Sequence, residues 1–275
     1  MSMIRSILEK ILRPLIYRRS LRTSAGTVKF FVSPSAGLRY LFKPMSQVDP
    51  LIVNVAERLV RPGDVIWDIG ANIGIFSMTA ARMSGASGSV FSFEPDSFLV
   101  ECLRKSARVQ PIDKSAEIHV LPIAISNSVG LSRFVIANRS NATNHLEGYG
   151  TTQTGGIRAV NIVPTFSIDW LVESSSVPPP NLVKIDVEGA EVEAIGGALD
   201  VLTKFRPILV LEVGAASCEK ISDILKRHNY YMYDGHGFSS DSAKIESATW
   251  DTVAIPAELS DKYMSGQDYN AIVYL

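Results

Sequence analysis

VIWDIGANIGIFSMTAARMSGASGSVFSFEP, residues 65–95, is the stretch from which the rest of the chain is read. Val65, Ile66, Trp67 and Ile69 form a short apolar run suited to a strand buried on both faces, and Gly70-Ala-Asn-Ile-Gly74 breaks it. Phe76, Thr79, Ala80 and Met83 then recur at helical spacing, and Val90 to Phe93 makes a second strand with Glu94 at its carboxyl end. Strand, glycine turn, helix and strand make half of a doubly wound, mostly parallel α/β sheet, whose ligand crevice lies outside the carboxyl ends of its strands.

The glycines limit what that crevice can hold. A dinucleotide fingerprint beginning at Gly70 requires glycine at 72 and 75, where the chain has Asn72 and Ile75. Asp68-x-Gly70-x-Asn72-x-Gly74 turns tightly without clearing room for a pyrophosphate, which suits a nucleoside without phosphates. Glu94 supports this, because a carboxylate only accepts and a ribose offers two adjacent hydroxyl donors. Asp68 is placed to hold an ammonium group, directly or through water. A ribose, an amino-acid end and no phosphate describe S-adenosylmethionine. The same local pattern also occurs throughout α/β proteins, and an acid after a strand can simply cap the next helix. The spacing of Glu94 behind the turn is what favours a cofactor.

At 275 residues and 46% hydrophobic content, the chain has ample material for one large α/β domain with attachments. A net charge of -1 and a pI near 6.4 exclude the basic footprint of a general nucleic-acid binder. No run of eighteen apolar residues suits a membrane span. Cys102 and Cys218 are far apart and read as isolated, small apolar residues of a reducing, cytoplasmic compartment. In that setting the overlapping sequons at Asn138 and Asn141 read as chance.

Residues 1–22 stand apart from the domain expected over 23–275. Ile4, Ile7, Leu8, Ile11, Leu12, Leu15 and Ile16 fall on one helical face, while Arg5, Lys10, Arg13, Arg18, Arg19 and Arg22 are balanced only by Glu9. Pro14 interrupts that helix. The segment suits a helix packed on the domain, a peripheral membrane contact or an organelle presequence. Thr27–Val32 and Gly37–Phe42 read as a hairpin around 33–36, and Asp49–Leu59 as a helix. Downstream, strands are expected at Ile118–Leu121, Leu131–Ala137, Ile157–Val163, Leu182–Asp186, Arg206–Glu212, Tyr230–Tyr233 and Ala271–Leu275. The polar loop 138–156 is long enough to be a lid or a binding loop, and His145 and Tyr149 are its bulky side chains with chemistry to offer.

A second cluster of acids closes the list of candidates. Asp186, Glu188 and Glu191 surround the end of one strand, and Glu212 ends the next. Like charges in a partly buried place raise one another's pKa, so this cluster can supply a base or hold a divalent metal, with Asp186 and Glu212 as its expected ligands. Glu188 and Glu191 also suit a helix N-terminus for its own sake.

WDIGANIG at 67–74, FEP at 93–95, PIAIS at 122–126 and KIDVEGAE at 184–191 together resemble the FkbM family of S-adenosylmethionine-dependent methyltransferases. The resemblance runs over about residues 64–213, with KIDVEGAE its most specific part. It implies a seven-stranded, Rossmann-like methyltransferase sheet and O-methylation of a sugar or polyketide hydroxyl. Carried over by position, Asp68, Gly70, Asn72, Gly74 and Glu94 become cofactor contacts, Ala124 and Ser126 neighbours of the adenine, and Asp186 and Glu188 active-site acids. His145 is the substitute base if its loop closes. The segment 236–270 matches no motif, and the choice of a small-molecule or glycan acceptor is expected in such variable parts. DVEG stands where many nucleic-acid amino-methyltransferases carry Asn or Asp before Pro-Pro and an aromatic. A non-catalytic module anchored at a membrane is the alternative, disfavoured by the intact Asp68, Gly70, Gly74 and Glu94 set.

Overall fold

A computed structural model describes residues 15–264 apart from 38, 139–140 and 151–154. The glycine-turn unit forms as its sequence predicts. Strand β1 (Val65–Ile69) leads through the turn into a helix at Ile75–Ser84, and β2 (Ser89–Phe93) lies parallel beside β1. The later strands are β3 (Glu117–Leu121), β4 (Leu182–Ile185), β5 (Ile208–Glu212), β6 (Tyr230–Asp234) and β7 (Asp251–Pro256). Their order across the sheet is β6-β7-β5-β4-β1-β2-β3, with a two-residue strand, Lys244–Ile245, beyond β6. Among the seven, only β7 runs against its neighbours. This is the doubly wound, mostly parallel α/β sheet expected from residues 65–95.

The strand order reverses between β1 and β4, and that is where a crevice opens at the carboxyl ends. Burial on both faces explains the apolar runs. One side carries Trp67, Ile69, Val183, Ile185 and Leu211 against the helices Glu191–Gly196, Leu199–Lys204 and Cys218–Arg227. The other carries Ile66, Val90, Leu182 and Val210 against the helices Pro50–Leu59 and Ile75–Ser84.

The chain before the sheet differs from the sequence expectation. Gly26–Val32 pairs backward with Tyr17–Thr23 instead of forward with residues 37–42, and Arg39–Phe42 is a helical turn. Tyr17, Arg19, Leu21 and Thr23 face inward, while Arg18, Ser20 and Arg22 face solvent, so this segment follows a period of two and not 3.6. The expected N-terminal helix therefore gives way to a strand before residue 22, and its part over residues 1–14 lies outside the described residues. So does the strand expected at Ala271–Leu275; the strand that completes the sheet is β7, within the segment that matched no motif.

The expected strands Leu131–Ala137 and Ile157–Val163 form as Gly130–Ala137 and Ile157–Phe166, in a separate four-stranded sheet over the crevice. The polar loop between them is tied down over its described part. His145–Leu146 pairs with Phe134 and Val135, and Asn141 and Asn144 both donate to Asp96 Oδ2, at 2.6 and 2.7 Å. Asn141 is buried by these contacts. Among the described residues no helix is long and apolar enough to cross a membrane. Cys102 and Cys218 are both free thiols.

Candidate active site

The crevice is a cavity of about 360 Å³ at the carboxyl ends of β1, β2, β4 and β5. Gly70 ends β1 at φ 73°, and a Cβ there would lie 1.8 Å from the Asp186 carbonyl oxygen. Any side chain at 70 would force β1 and β4 apart where they frame the cavity. Gly74 caps the helix at φ 86°, where a Cβ would meet Leu103 Cδ2 at 2.5 Å. Gly74 thus serves close helix packing and does not line the cavity.

Glu94 lies buried in the cavity wall. Its Oε2 accepts from the Asn72 amide and its Oε1 from the Asp96 amide, both at 2.9 Å, which leaves each oxygen a further lone pair. Burial pushes its pKa up to about 8, with the Asp96 charge adding to the effect against the two amide donors. Asn72 also lines the cavity, at φ 52°, and its side-chain oxygen is buried without a hydrogen-bond partner. A buried carboxyl group with spare acceptor capacity beside an unanswered amide oxygen is a site prepared for donors. Ala124 contributes to an apolar part of the wall with Ile123, Ile125, Phe134 and Leu146.

Asp68 has a different place from the one its spacing suggested. It is fully buried behind the wall, and its Oδ2 accepts from both the amide and the hydroxyl of Ser77. Because Gly74 has no side chain to cap its helix, Asp68 satisfies the third-position amide from the neighbouring strand. Its Oδ1 lies 3.3 Å from Lys184 Nζ, an ion-pair contact without the alignment of a hydrogen bond. Ser126 is likewise outside the cavity, its amide bonded to the Phe166 carbonyl and its own carbonyl near Gly197.

Lys184 is the buried, ion-paired residue behind the cavity that sequence reasoning passed over. It stands in register with Asp68 across β4 and β1, is 5% exposed, and its Nζ reaches Gly70 O at 3.0 Å and Asp186 Oδ2 at 3.1 Å. Burial alone would lower its pKa, but Asp186 and Asp68 together hold it above the usual lysine value. The available signal was a lysine inside the apolar strand LVKI, two residues before an acid. A buried charge in a central strand requires a partner.

Asp186, Glu188, Glu212 and His145 all line the cavity. Burial raises Glu188 to about 7, with Asp186 and Glu191 adding repulsion, and raises Glu212 to about 8, with Asp186 adding again. His145 Nδ1 lies 3.0 Å from the Thr143 carbonyl, which can only accept, so the neutral ring carries its hydrogen there and leaves Nε2 with a lone pair. Among the described residues no three His, Cys, Asp or Glu side chains converge in a metal-binding arrangement. Of the acids here, Asp186 is paired with Lys184, which it shares with Asp68.

A model of the methyltransferase FkbM domain matches residues 68–232. The hexuronic acid methyltransferase AglP of Haloferax volcanii is 32% identical over 148 residues, covering 54% of this chain and 55% of that protein. The chain thus spans about half the length of this curated relative. The ribosomal RNA large subunit methyltransferase E of Neisseria meningitidis is 39% identical over 44 residues, 16% of this chain and 21% of that one. A crystal structure of an FkbM methyltransferase from Methylobacillus flagellatus KT superposes with a TM-score of 0.45 at 15% identity, covering 74% of this chain and 49% of that one.

Proposed function

Because the chain belongs to the FkbM methyltransferase family, we propose that it methylates a saccharide hydroxyl with S-adenosylmethionine as the methyl donor. The observation that carries this reading is the meeting of two groups of residues in one cavity: Glu94 and Asn72 on one side, Asp186 and Glu188 on the other. The spare acceptor positions of Glu94 fit the two hydroxyls of a ribose, the partnerless Asn72 oxygen fits a further donor, and the apolar stretch from Ile123 to Ile125 fits a flat base. A saccharide acceptor is suggested by the relative named as a hexuronic acid methyltransferase.

When bound, S-adenosylmethionine supplies an electrophilic methyl group whose bond to sulfur breaks with its electron pair left on sulfur. The chain's own part is to place the acceptor oxygen and to take its proton. Lys184 holds Asp186 Oδ2, so Asp186 is fixed in place to accept a hydrogen bond from the acceptor hydroxyl and orient it. Glu188 takes the proton, since a carboxylate titrating near 7 is matched to general-base work at neutral pH. The sequence pattern puts the base at Asp186; its ion pair with Lys184 moves that role to Glu188.

Calorimetric titration with S-adenosylhomocysteine tests the cofactor, and methyl-labelled S-adenosylmethionine with a panel of glycosides tests the transfer. The expected product carries the label as a base-stable methyl ether. Absence of binding would overturn the cofactor reading, and label recovered on nitrogen would overturn O-methylation.

A further inference from the structure

A second cavity, of about 370 Å³, opens beside the first, and Asp186, Glu188 and Glu212 line both. A molecule seated in it therefore meets the proposed transfer site at these carboxylates. Two aromatic side chains flank it: Trp250, 56% exposed, and Tyr149, 38% exposed. Trp250 lies just before β7, in the segment of the chain that matched no motif, where acceptor choice is expected. Its backbone carbonyl accepts from the Val213 amide at 2.7 Å, which fixes it beside the end of β5.

Tyr149 is positioned by glycine. Gly189, at φ 84°, lets the Gly150 amide approach to 2.6 Å from where a Cβ would stand, so the Gly148–Gly150 loop sits directly on the turn that follows Asp186. Glu191 braces the opposite wall by accepting from the Gly189 amide at 2.8 Å and from the Ser217 hydroxyl at 3.0 Å. The floor is shaped by glycine and alanine and the flanks by aromatic rings, which leaves room for a ring-shaped guest with an apolar face.

The charge of this cavity is one-sided. Its described lining includes Asp186, Glu188, Glu191 and Glu212 and no lysine, arginine or histidine. Lys184 is buried and committed to Asp68 and Asp186, and Arg39 lines the first cavity but not the second. Such acids hydrogen-bond with sugar hydroxyls in either protonation state, whereas a sugar carboxylate meets no cation in this described lining to answer its charge.

Resting on the methyltransferase reading, we propose that the second cavity is the acceptor subsite and that it takes a saccharide bearing no carboxylate, its ring stacked on Trp250. In this the chain differs from the relative named for hexuronic acid.

The test uses the full chain with methyl-labelled S-adenosylmethionine and matched pairs of methyl glycosides: glucoside with glucuronide, galactoside with galacturonide, mannoside with mannuronide. Within the methylated pair, kcat/KM for the uncharged member should exceed that for the uronide by at least about tenfold, a difference of 1.4 kcal/mol. Trp250→Ala should raise the acceptor KM by about tenfold with kcat and S-adenosylhomocysteine affinity nearly unchanged, and Trp250→Phe should restore most of the loss. A uronide used as well as or better than its partner overturns the proposal, as does an unchanged KM in Trp250→Ala. If no glycoside is methylated although S-adenosylhomocysteine binds, the saccharide subsite is wrong and the cofactor reading stands. If S-adenosylhomocysteine does not bind either, the methyltransferase reading itself fails.

Discussion

Replacing Lys184 by Met removes a buried charge while keeping the unbranched stem to within one atom of its length, and the structure allows its cost to be divided among three partners. Nζ lies 3.0 Å from the Gly70 carbonyl, 3.1 Å from Asp186 Oδ2 and 3.3 Å from Asp68 Oδ1. Asp186 is 36% exposed at its side chain and can be rehydrated, so its share of the loss is small. Asp68 is 0% exposed and keeps only the Ser77 donors. Leaving one such buried charge without its partner costs about 3–5 kcal/mol, a large fraction of the ~5–15 kcal/mol that holds a typical domain together. Urea unfolding followed by both tryptophan fluorescence and circular dichroism measures the loss and checks that the two probes agree. The pairing can be isolated with Asp68→Asn, which retains an acceptor for Ser77 but carries no charge. The double variant Lys184→Met with Asp68→Asn should be more stable than the sum of the two single losses predicts, with a coupling of about 1.5 kcal/mol or more. A loss under about 1 kcal/mol for Lys184→Met, or additive losses in the cycle, would refute the assignment of Lys184 as the counter-ion of Asp68.

Glu94→Gln keeps one acceptor oxygen but turns an NH2 group toward a backbone amide now bonded to the carboxylate. It should cost about 1–3 kcal/mol of stability and weaken S-adenosylhomocysteine binding at least about tenfold by calorimetry; unchanged affinity in the folded variant would remove Glu94 from the ribose. Glu188→Gln should lower kcat by roughly a hundredfold and flatten the limb of the kcat/KM profile near pH 7, where the free enzyme's Glu188 titrates. A variant that keeps both rate and limb would return the base to Asp186 or His145. Glu212 is raised to about 8 in the folded chain, so its folding contribution is fully present below its ordinary value near 4.5 and is lost as pH rises through 8. Thermal unfolding of Glu212→Gln should therefore show a shallower fall between pH 6 and pH 9 than the wild type, with the variant the more stable at pH 9. Parallel curves would place the repulsion elsewhere.

What could be read from the sequence was whatever depends on neighbours along the chain. The unit from Val65 to Glu94 is legible because strand, turn, helix and strand follow one another, and burial on both faces writes itself as an unbroken apolar run. The N-terminal hairpin was misread for the opposite reason. Gly26–Val32 has an equally good partner on either side, and Ser33-Pro34 supplies turn chemistry that in the fold begins a short 3-10 helix. β7 escaped notice because six residues with one proline at the end are a weak signal, and it takes its meaning from β5 and β6 on either side.

The candidate site divides along the same line. Gly70, Asn72, Glu94, Asp186 and Glu188 stand at strand ends, and a strand end can be located from sequence, so these residues reach the cavity as expected. Asp68 and Gly74 share that motif but are turned inward, because spacing along a strand says which residues alternate and not which face will meet the ligand. Lys184 depends on one fact that no local pattern contains, the parallel register that sets it opposite Asp68. Once that register is known, its charge accounts for the placing of two acids together: Asp68 has a counter-ion in the interior, and Asp186 is held at the rim where the two cavities join. The same lysine accounts for the one-sided charge of the acceptor cavity, since the cation nearest to it in the strand is already shared between two aspartates and has none to spare for an anionic sugar.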